Sequence, residues 1–198
     1  SAFLMHSPFA SMPEFLHCVI KAFAAGAPRH HRLVFKAHPL ESGRRALARE
    51  IAALAVRYKI ADRVDYVPGG KLAQLLDHAR SAVTVNSTAG QQALWRGLPL
   101  KAFGKAVYDK PQFVSDLPLE EFFATPPYPD SAAYLDYRRY LLETSQTTGG
   151  FHSSRGRRQL LRQVIDMLLS DLDPFDSFEY GNSASLSGRT NKNNREVN

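Results

Sequence analysis

Residues 13–103 alternate between segments with helical periodicity and short apolar runs, and this alternation constrains the fold more than any other feature of the sequence. The helical segments repeat apolar residues every three or four positions, whereas the runs end at polar, Pro or Gly residues. The predicted elements are a helix over 13–25, a buried strand over 33–35, a helix over 47–58, a strand over 64–67, a helix over 72–79, a strand over 81–85, a helix over 88–96 and a strand over 99–103. A helix between successive strands is typical of a parallel sheet with helices on both faces, so the sequence predicts an α/β fold.

The C-terminal half of the sequence has weaker periodicity. Residues 111–130 contain five prolines and several aromatic residues, which predicts an ordered excursion across the surface. Two further helices are predicted near 131–143 and 155–170. The chain then turns polar and ends in a stretch rich in Asn, Ser, Gly and Arg, which cannot bury enough apolar area to offset the entropy of ordering it. We therefore predict one α/β domain over 1–172 and a disordered tail over 173–198.

Net charge and cysteine content limit the partners and the setting of the chain. The net charge is +6 and the isoelectric point is about 9.5, which favours phosphates, anionic lipid surfaces or nucleic acid, although a solvated basic face fits equally well. Nucleic acid is disfavoured because the sequence has no recognised module and no aromatic residues interleaved with the basic ones. A single cysteine, Cys18, excludes an internal disulfide and fits a cytoplasmic setting.

The sequence shows neither a membrane span nor a signal peptide. No apolar run reaches the ~20 residues that a span requires. Residues 1–5 lack the basic flank and the cleavage site of a signal peptide. Because the sequence does not open with methionine, we expect a fragment or a truncated gene product.

The clearest predicted strand runs into Asn86-Ser87-Thr88-Ala89-Gly90 and then into a helix. This arrangement predicts free backbone N–H groups at the helix start, whose partial positive charge suits a phosphate. The hydroxyls of Ser87 and Thr88 can add hydrogen bonds, and Gly90 permits the close approach of a ligand or of a neighbouring element. The alternative is that Ser87 only caps the helix, which serine and threonine commonly do.

A second polar cluster, Lys36-Ala37-His38-Pro39, follows the first predicted strand. Pro39 restricts His38 to an extended conformation, which would fix the imidazole at the strand end. A neutral imidazole can bond a base or a ribose and a protonated one a phosphate, while a loop histidine with local partners is the alternative. Ligands of open parallel sheets bind beyond the carboxyl ends of the strands, so we expect both clusters at one sheet edge.

The remaining candidates carry weaker signals. Asp171-Leu172-Asp173 has an Asp-x-Asp pattern but follows a helix near the predicted tail, and three histidines, His30, His31 and His78, lack companions with metal-ligand spacing. We therefore predict no metal site and no cofactor. The arginines of the last predicted helix indicate a solvated face or a contact with a membrane or an acceptor; they are Arg155, Arg157, Arg158 and Arg162. No Gly-x-Gly-x-x-Gly or Walker sequence is present, so a dinucleotide site or a P-loop lacks its main support.

Several short strings follow one another in a fixed order along the sequence. They are His6-Ser7-Pro8-Phe9, Leu33-Val34-Phe35-Lys36-Ala37-His38-Pro39, Val85-Asn86-Ser87-Thr88-Ala89-Gly90-Gln91-Gln92-Ala93-Leu94, Gly97-x-Pro99 and Lys101-x-Phe103-Gly104-Lys105-Ala106-x-Tyr108-Asp109. Taken together, over roughly residues 6–123, they resemble the capsule polysaccharide biosynthesis/export family, which comprises bacterial proteins similar to the β-Kdo transferases.

This resemblance implies a two-lobed GT-B-like glycosyltransferase whose C-terminal, Rossmann-like lobe binds a CMP-activated sugar. In such enzymes a His-Pro pair contacts the nucleotide and a Ser-Ser or Ser-Thr pair contacts its phosphate. The nucleotide and phosphate contacts expected here are Lys36, His38, Pro39, Asn86, Ser87, Thr88, Gly90 and Gln91. The candidate contacts to the sugar, or within the loop, are Lys105, Tyr108 and Asp109.

The function that the resemblance implies is transfer of Kdo, or a related sugar, from a CMP donor to a lipid or glycan acceptor. The resemblance also implies that the protein contacts the inner membrane and the capsule export machinery. The chain starts just before His6, so we expect the N-terminal lobe, with its acceptor contacts and its acidic catalytic group, to be absent and the chain alone to be inactive. The alternative is a non-catalytic component of capsule export or assembly that retains the nucleotide-binding fold.

Overall fold

The computed structural model of the chain describes residues 7–37, 43–145 and 153–169. These residues belong to two compact units, the first ending at Tyr134 and the second beginning at Leu135. The first unit is built from helices and strands, and the described part of the second is helical.

The elements of the first unit alternate between helix and strand, as the sequence predicts. In chain order they are α1 (Met12–Gly26), β1 (Leu33–Lys36), α2 (Arg44–Arg57), a 3-10 turn (Ala61–Arg63), β2 (Val64–Val67), α3 (Leu72–Leu76), β3 (Ala82–Thr84), α4 (Ala89–Trp95), β4 (Leu100–Ala102) and α5 (Leu119–Ala124). Helix α6 (Ser131–Thr144) begins in the first unit and continues into the second, which also holds α7 (Ser154–Leu169). The predicted helices and strands are confirmed, although their ends differ by a few residues.

The strands form two parallel ladders. β1 pairs with β2, with Leu33 opposite Val64, and β3 pairs with β4, with Ala82 opposite Leu100. Helix α2 connects the first pair and helix α4 the second, which is the crossover that parallel strands require. The α/β class and the parallel pairing are therefore confirmed, while among the described strands the predicted single sheet is found as two separate pairs.

Helix α1 occupies the centre of the core. Ser11 caps its start, because Ser11 Oγ accepts a hydrogen bond from the Glu14 N–H at 3.3 Å, and Pro13 lies in the first turn. The buried face of α1 packs against α2, α5 and the β1–β2 ladder. The core residues are Leu16, Val19, Ile20, Ala22, Phe23, Ile51, Leu54, Ile60, Leu119, Phe122 and Phe123.

Two sequence predictions differ from the structure. The segment 111–130 does not simply cross the surface, because it contains α5, whose Leu119, Phe122 and Phe123 are core residues. A helix of six residues is too short to be recognised by its periodicity. The first strand is predicted to be buried, but Val34 is exposed because only the other face of β1 packs on the core.

The described part of the second unit consists of the end of α6 and of α7. In α6 the Thr144 Oγ1 donates a hydrogen bond to the Tyr140 carbonyl at 2.7 Å. No helix in residues 7–37, 43–145 and 153–169 is long and apolar enough to cross a membrane. The predicted tail over 173–198 lies outside the described residues, so the proposed domain boundary stays a prediction.

Gly26 allows the end of α1 to approach the start of α5. A methyl group at this position would overlap the backbone of Glu120. We predict that Gly26→Ala lowers the free energy of unfolding, measured by urea denaturation, by about 1–3 kcal/mol because the two helices must move apart. Gly69→Ala is the matched control, since nothing lies within 4 Å of that position; it should change the free energy by less than about 0.5 kcal/mol. Equal effects of the two substitutions would contradict this close packing.

Candidate functional site

The turn between β3 and α4 lies at the carboxyl end of the β3–β4 ladder. The ladder continues past both strands, because the Gly104 N–H donates a hydrogen bond to the Val85 carbonyl at 2.7 Å. Val85 is buried, whereas Ser87 and Thr88 are exposed. This bond brings the loop after β4, which carries Lys105, next to the start of α4.

Tyr108 fixes the start of α4. Its side chain is buried, and its hydroxyl donates a hydrogen bond to the Ser87 carbonyl at 2.6 Å. A Cβ atom at Gly90 would lie 2.5 Å from Tyr108 Cζ, so the ring fits only because position 90 is glycine. Burial raises the pKa of Tyr108 to about 12, with smaller contributions from Asp109 and Tyr134. The phenol is therefore a neutral hydrogen-bond donor near pH 7.

Tyr134 makes a similar contact slightly further along α4. Its hydroxyl donates to the Gln91 carbonyl at 3.0 Å. Its ring packs edge-on against Phe113, with the ring centroids 5.3 Å apart. The sequence gives no signal for this contact, because Tyr134 lies 43 residues from Gln91 in another helix. Two tyrosine hydroxyls from different parts of the chain thus hold the first turn of α4.

An open depression of about 470 Å³ lies beside this turn. Its lining residues are Asn86, Thr88, Gln91, Lys105, Ala106, Val107 and Tyr108. The structure therefore brings together five of the residues predicted from the sequence and adds Ala106 and Val107. The lining offers an ammonium group, a hydroxyl and two amides beside an apolar wall, which suits an anionic ligand that also forms hydrogen bonds.

The backbone N–H groups at the start of α4 have partners within the chain. The Ala89 N–H donates to Ser87 Oγ at 3.2 Å. The Gly90 N–H donates to the Ser87 carbonyl at 2.9 Å, and the Gln91 N–H to the Thr88 carbonyl at 3.1 Å. The prediction of free N–H groups is therefore wrong for these three residues, because the turn satisfies them locally. Ser87 Oγ accepts a hydrogen bond locally, as the alternative role suggests, although the residue directly before α4 is Thr88.

The second predicted cluster is only partly described. Lys36 is half-buried at the end of β1, and its Nζ donates to the Ala37 carbonyl at 2.9 Å. Neither Lys36 nor Asp109 lines the depression. Asp109 is exposed and directly follows the lining residue Tyr108 in the chain. His38 and Pro39 lie outside the described residues. The expected meeting of the two clusters at one edge stays a prediction.

The weaker metal-ligand candidates are only partly described. In the described ranges no group of three His, Cys, Asp or Glu residues could hold a metal ion, and the Asp171-Leu172-Asp173 string lies outside them. His30 and His78 are exposed. His31 is half-buried, and burial lowers its pKa, with contributions from His30 and nearby arginines.

Parallel strand pairs connected by helices place the chain among the α/β proteins, and the depression lies at the carboxyl end of a pair, where proteins with open parallel sheets bind their ligands. The family described as "Capsule polysaccharide biosynthesis protein" matches residues 1–152, and the chain belongs to this family. The matched region contains the whole depression.

Curated relatives support the same assignment. The chain is 33% identical over 147 residues to the capsule polysaccharide export protein KpsS of Escherichia coli, covering 74% of this chain and 38% of that protein. It is 34% identical over 150 residues to the capsule polysaccharide modification protein LipB of Neisseria meningitidis serogroups A and B, covering 75% of this chain and 36% of those proteins. The chain thus spans little more than a third of the length of these relatives. No solved structure shows significant similarity to it.

The hydroxyl of Tyr108 provides a direct test of the site's framework. We predict that Tyr108→Phe lowers the free energy of unfolding at pH 7 by about 1–2 kcal/mol, because the Ser87 carbonyl loses one of its two donors and keeps only the Gly90 N–H. Tyr128→Phe is the control, since Tyr128 is 80% exposed; it should change the free energy by less than about 0.5 kcal/mol. Urea denaturation measures both. If both variants equal the wild type, the hydroxyl contact contributes nothing to stability.

The raised pKa of Tyr108 also predicts a specific alkaline behaviour. The folded-state pKa of about 12 exceeds the ordinary value of 10.0. The neutral Tyr108 phenol therefore stabilises the folded state fully below about pH 10, and this stabilisation is lost as the pH rises through 12. We expect the stability difference between the wild type and Tyr108→Phe to shrink over this range, measured by urea denaturation at successive pH values. A difference that stays constant would contradict a buried neutral phenol.

Proposed function

We propose that this chain is the donor-binding lobe of a glycosyltransferase in capsule polysaccharide biosynthesis. In this proposal the enzyme moves Kdo, or a related sugar, from its CMP donor to a lipid or glycan acceptor. The observation that carries the proposal is the depression beside α4, where a lysine, a threonine and two amide side chains converge in a member of the capsule family. The lobe itself would correspond to the Rossmann-like, C-terminal half of a GT-B enzyme.

The lining residues suit the parts of a CMP-sugar. The Lys105 ammonium and the Thr88 hydroxyl would bind the single phosphate, because both are exposed at the depression. Asn86 and Gln91 would offer amide groups to the ribose or the sugar. The side chain of Val107 would supply apolar contact to the ligand.

The chemical role of the site would be to stabilise the leaving group. When the sugar is transferred, negative charge develops on the phosphate of the departing CMP. The charge of Lys105 and the hydroxyls of Ser87 and Thr88 would stabilise that charge, in the way that an oxyanion hole stabilises an intermediate. Following the resemblance, His38 and Pro39 would orient the nucleotide, and Lys36 and Asp109 would add further contacts.

The group that performs proton transfer would lie in another lobe. The resemblance assigns acceptor contacts and an acidic catalytic residue to an N-terminal lobe, and the curated relatives are more than twice as long as the matched region. This chain would therefore hold the donor, while turnover would require the second lobe.

A second candidate function is favoured by one relative. The Escherichia coli relative is named a capsule polysaccharide export protein. A non-catalytic component of export or assembly could retain the same fold and depression. Such a component would bind capsule glycan without binding CMP at the depression, so nucleotide affinity separates the two candidates.

Calorimetry with CMP, cytidine and UDP tests the proposed site. We predict that the chain binds CMP. Lys105→Gln should lower the affinity for CMP by at least about 10-fold and the affinity for cytidine by less than about 2-fold, because only CMP has the phosphate. Lys21→Gln on α1 is the matched control, since it removes an exposed lysine away from the depression; it should change neither affinity.

The double variant Ser87→Ala, Thr88→Ala should also lose more affinity for CMP than for cytidine. Equal weakening of both ligands would remove the phosphate role of these hydroxyls. Folded protein that binds no CMP would refute the donor-lobe proposal, and preference for single-stranded RNA would replace it with nucleic-acid binding.

A further inference from the structure

Helix α7 presents a continuous apolar face to solvent. Leu161, Ile165 and Leu168 recur at i, i+4 and i+7, and they are 60%, 44% and 79% exposed. Val164 and Met167 widen this face and are also exposed. No residue of α7 is buried. Five large apolar side chains exposed on neighbouring positions of one helix are typical of a surface that contacts another molecule or a membrane.

The polar side of α7 is strongly basic. Arg155, Arg158 and Arg162 recur at i, i+3 and i+7, so they share one face of the helix, and all three are exposed. The whole helix contains four arginines and one acidic residue, Asp166. A basic face beside an apolar one is typical of helices that lie on a membrane surface.

The family match does not account for this helix. The matched region ends at residue 152, and α7 begins at Ser154. The apolar face therefore lies outside the matched region, and its own charge and shape indicate its partner. The helix has 16 residues, too few to cross the ~30 Å hydrocarbon core of a bilayer.

We propose that α7 docks on an anionic phospholipid surface. Leu161, Ile165 and Leu168 insert at the boundary between headgroups and acyl chains, and the arginines of the neighbouring face bind headgroup phosphates. The net positive charge of α7 favours this partner over a second copy of the helix. Another copy would bring the same positive charge to the contact, whereas anionic headgroups neutralise it. The inference does not rest on the proposed sugar transfer.

Co-sedimentation of the full chain with lipid vesicles tests the proposal. The chain should bind vesicles of phosphatidylethanolamine and phosphatidylglycerol, bind phosphatidylcholine vesicles at least about 10-fold more weakly, and bind less as salt is added. Binding that is equal for the two kinds of vesicle, or absent from both, overturns the proposal.

A triple substitution of the apolar face, Leu161→Gln, Ile165→Gln and Leu168→Gln, should weaken binding to the anionic vesicles by at least about 10-fold. All three side chains are exposed, so the fold should be retained, and circular dichroism checks this. Val56→Gln on α2, which changes another exposed apolar residue, should leave vesicle binding unchanged. Unchanged vesicle binding by the triple variant refutes the role of the apolar face.

A second triple variant tests the basic face with a charge-matched control. Substituting glutamine for Arg155, Arg158 and Arg162 should weaken binding to anionic vesicles by at least about 10-fold. The control removes three exposed arginines from α2, namely Arg45, Arg49 and Arg57, and should change binding by less than about 2-fold. Equal losses would show that overall charge, not α7, attracts the lipid.

Two further measurements separate this inference from other outcomes. The molar mass in solution should be the same for the wild type and for the apolar variant; a fall in mass without a change in lipid binding would assign the face to self-association and overturn the proposal. CMP affinity should be unchanged in both α7 variants, because α7 contributes no residue to the lining of the depression. Failure of CMP binding would count against the proposed function alone.

Discussion

The hydrogen bond from the Tyr108 hydroxyl to the Ser87 carbonyl is the contact on which the candidate site depends. It joins the loop after β4 to the turn before α4, and the absence of a side chain at Gly90 makes room for the ring. This contact and the hydrogen bond between Gly104 and Val85 together place Lys105 near Thr88, since both bonds join the segments that carry these two residues. The framework is built from a buried donor and a backbone acceptor, and the side chains of Thr88 and Lys105 are exposed beside it.

The features that the sequence predicts well are those that neighbouring residues determine. Pro13 indicates the start of α1 through its fixed φ angle, and the structure places it in the first turn. Gly97 has a φ of 69°, the left-handed conformation expected of the residue that ends a helix. The alternation of helix and strand predicts the parallel pairing, because two parallel strands need a crossover between them and the intervening helix provides it.

The features that the sequence does not predict depend on residues far apart in the chain. The contact of Tyr134 with Gln91 and the burial of α5 arise from packing and have no local pattern. The hydrogen bonding of the first turn of α4 also differs from its prediction. A strand followed by Ser-Thr and a helix suggests free N–H groups, but the Ser87 hydroxyl and carbonyl accept the Ala89 and Gly90 N–H groups. Propensity identifies the turn, and only the folded geometry shows which of its donors are already used.

The segment after Tyr108 is held on both sides of its exposed bend at Pro111. Tyr108 is tied to Ser87 on one side. On the other, the Ser115 N–H donates to the Leu100 carbonyl at 2.9 Å and Lys101 Nζ donates to the Leu117 carbonyl at 2.7 Å. A single protease cut at the bend would therefore leave two pieces that remain associated without a covalent link. The two pieces would then act as complementing fragments of one fold.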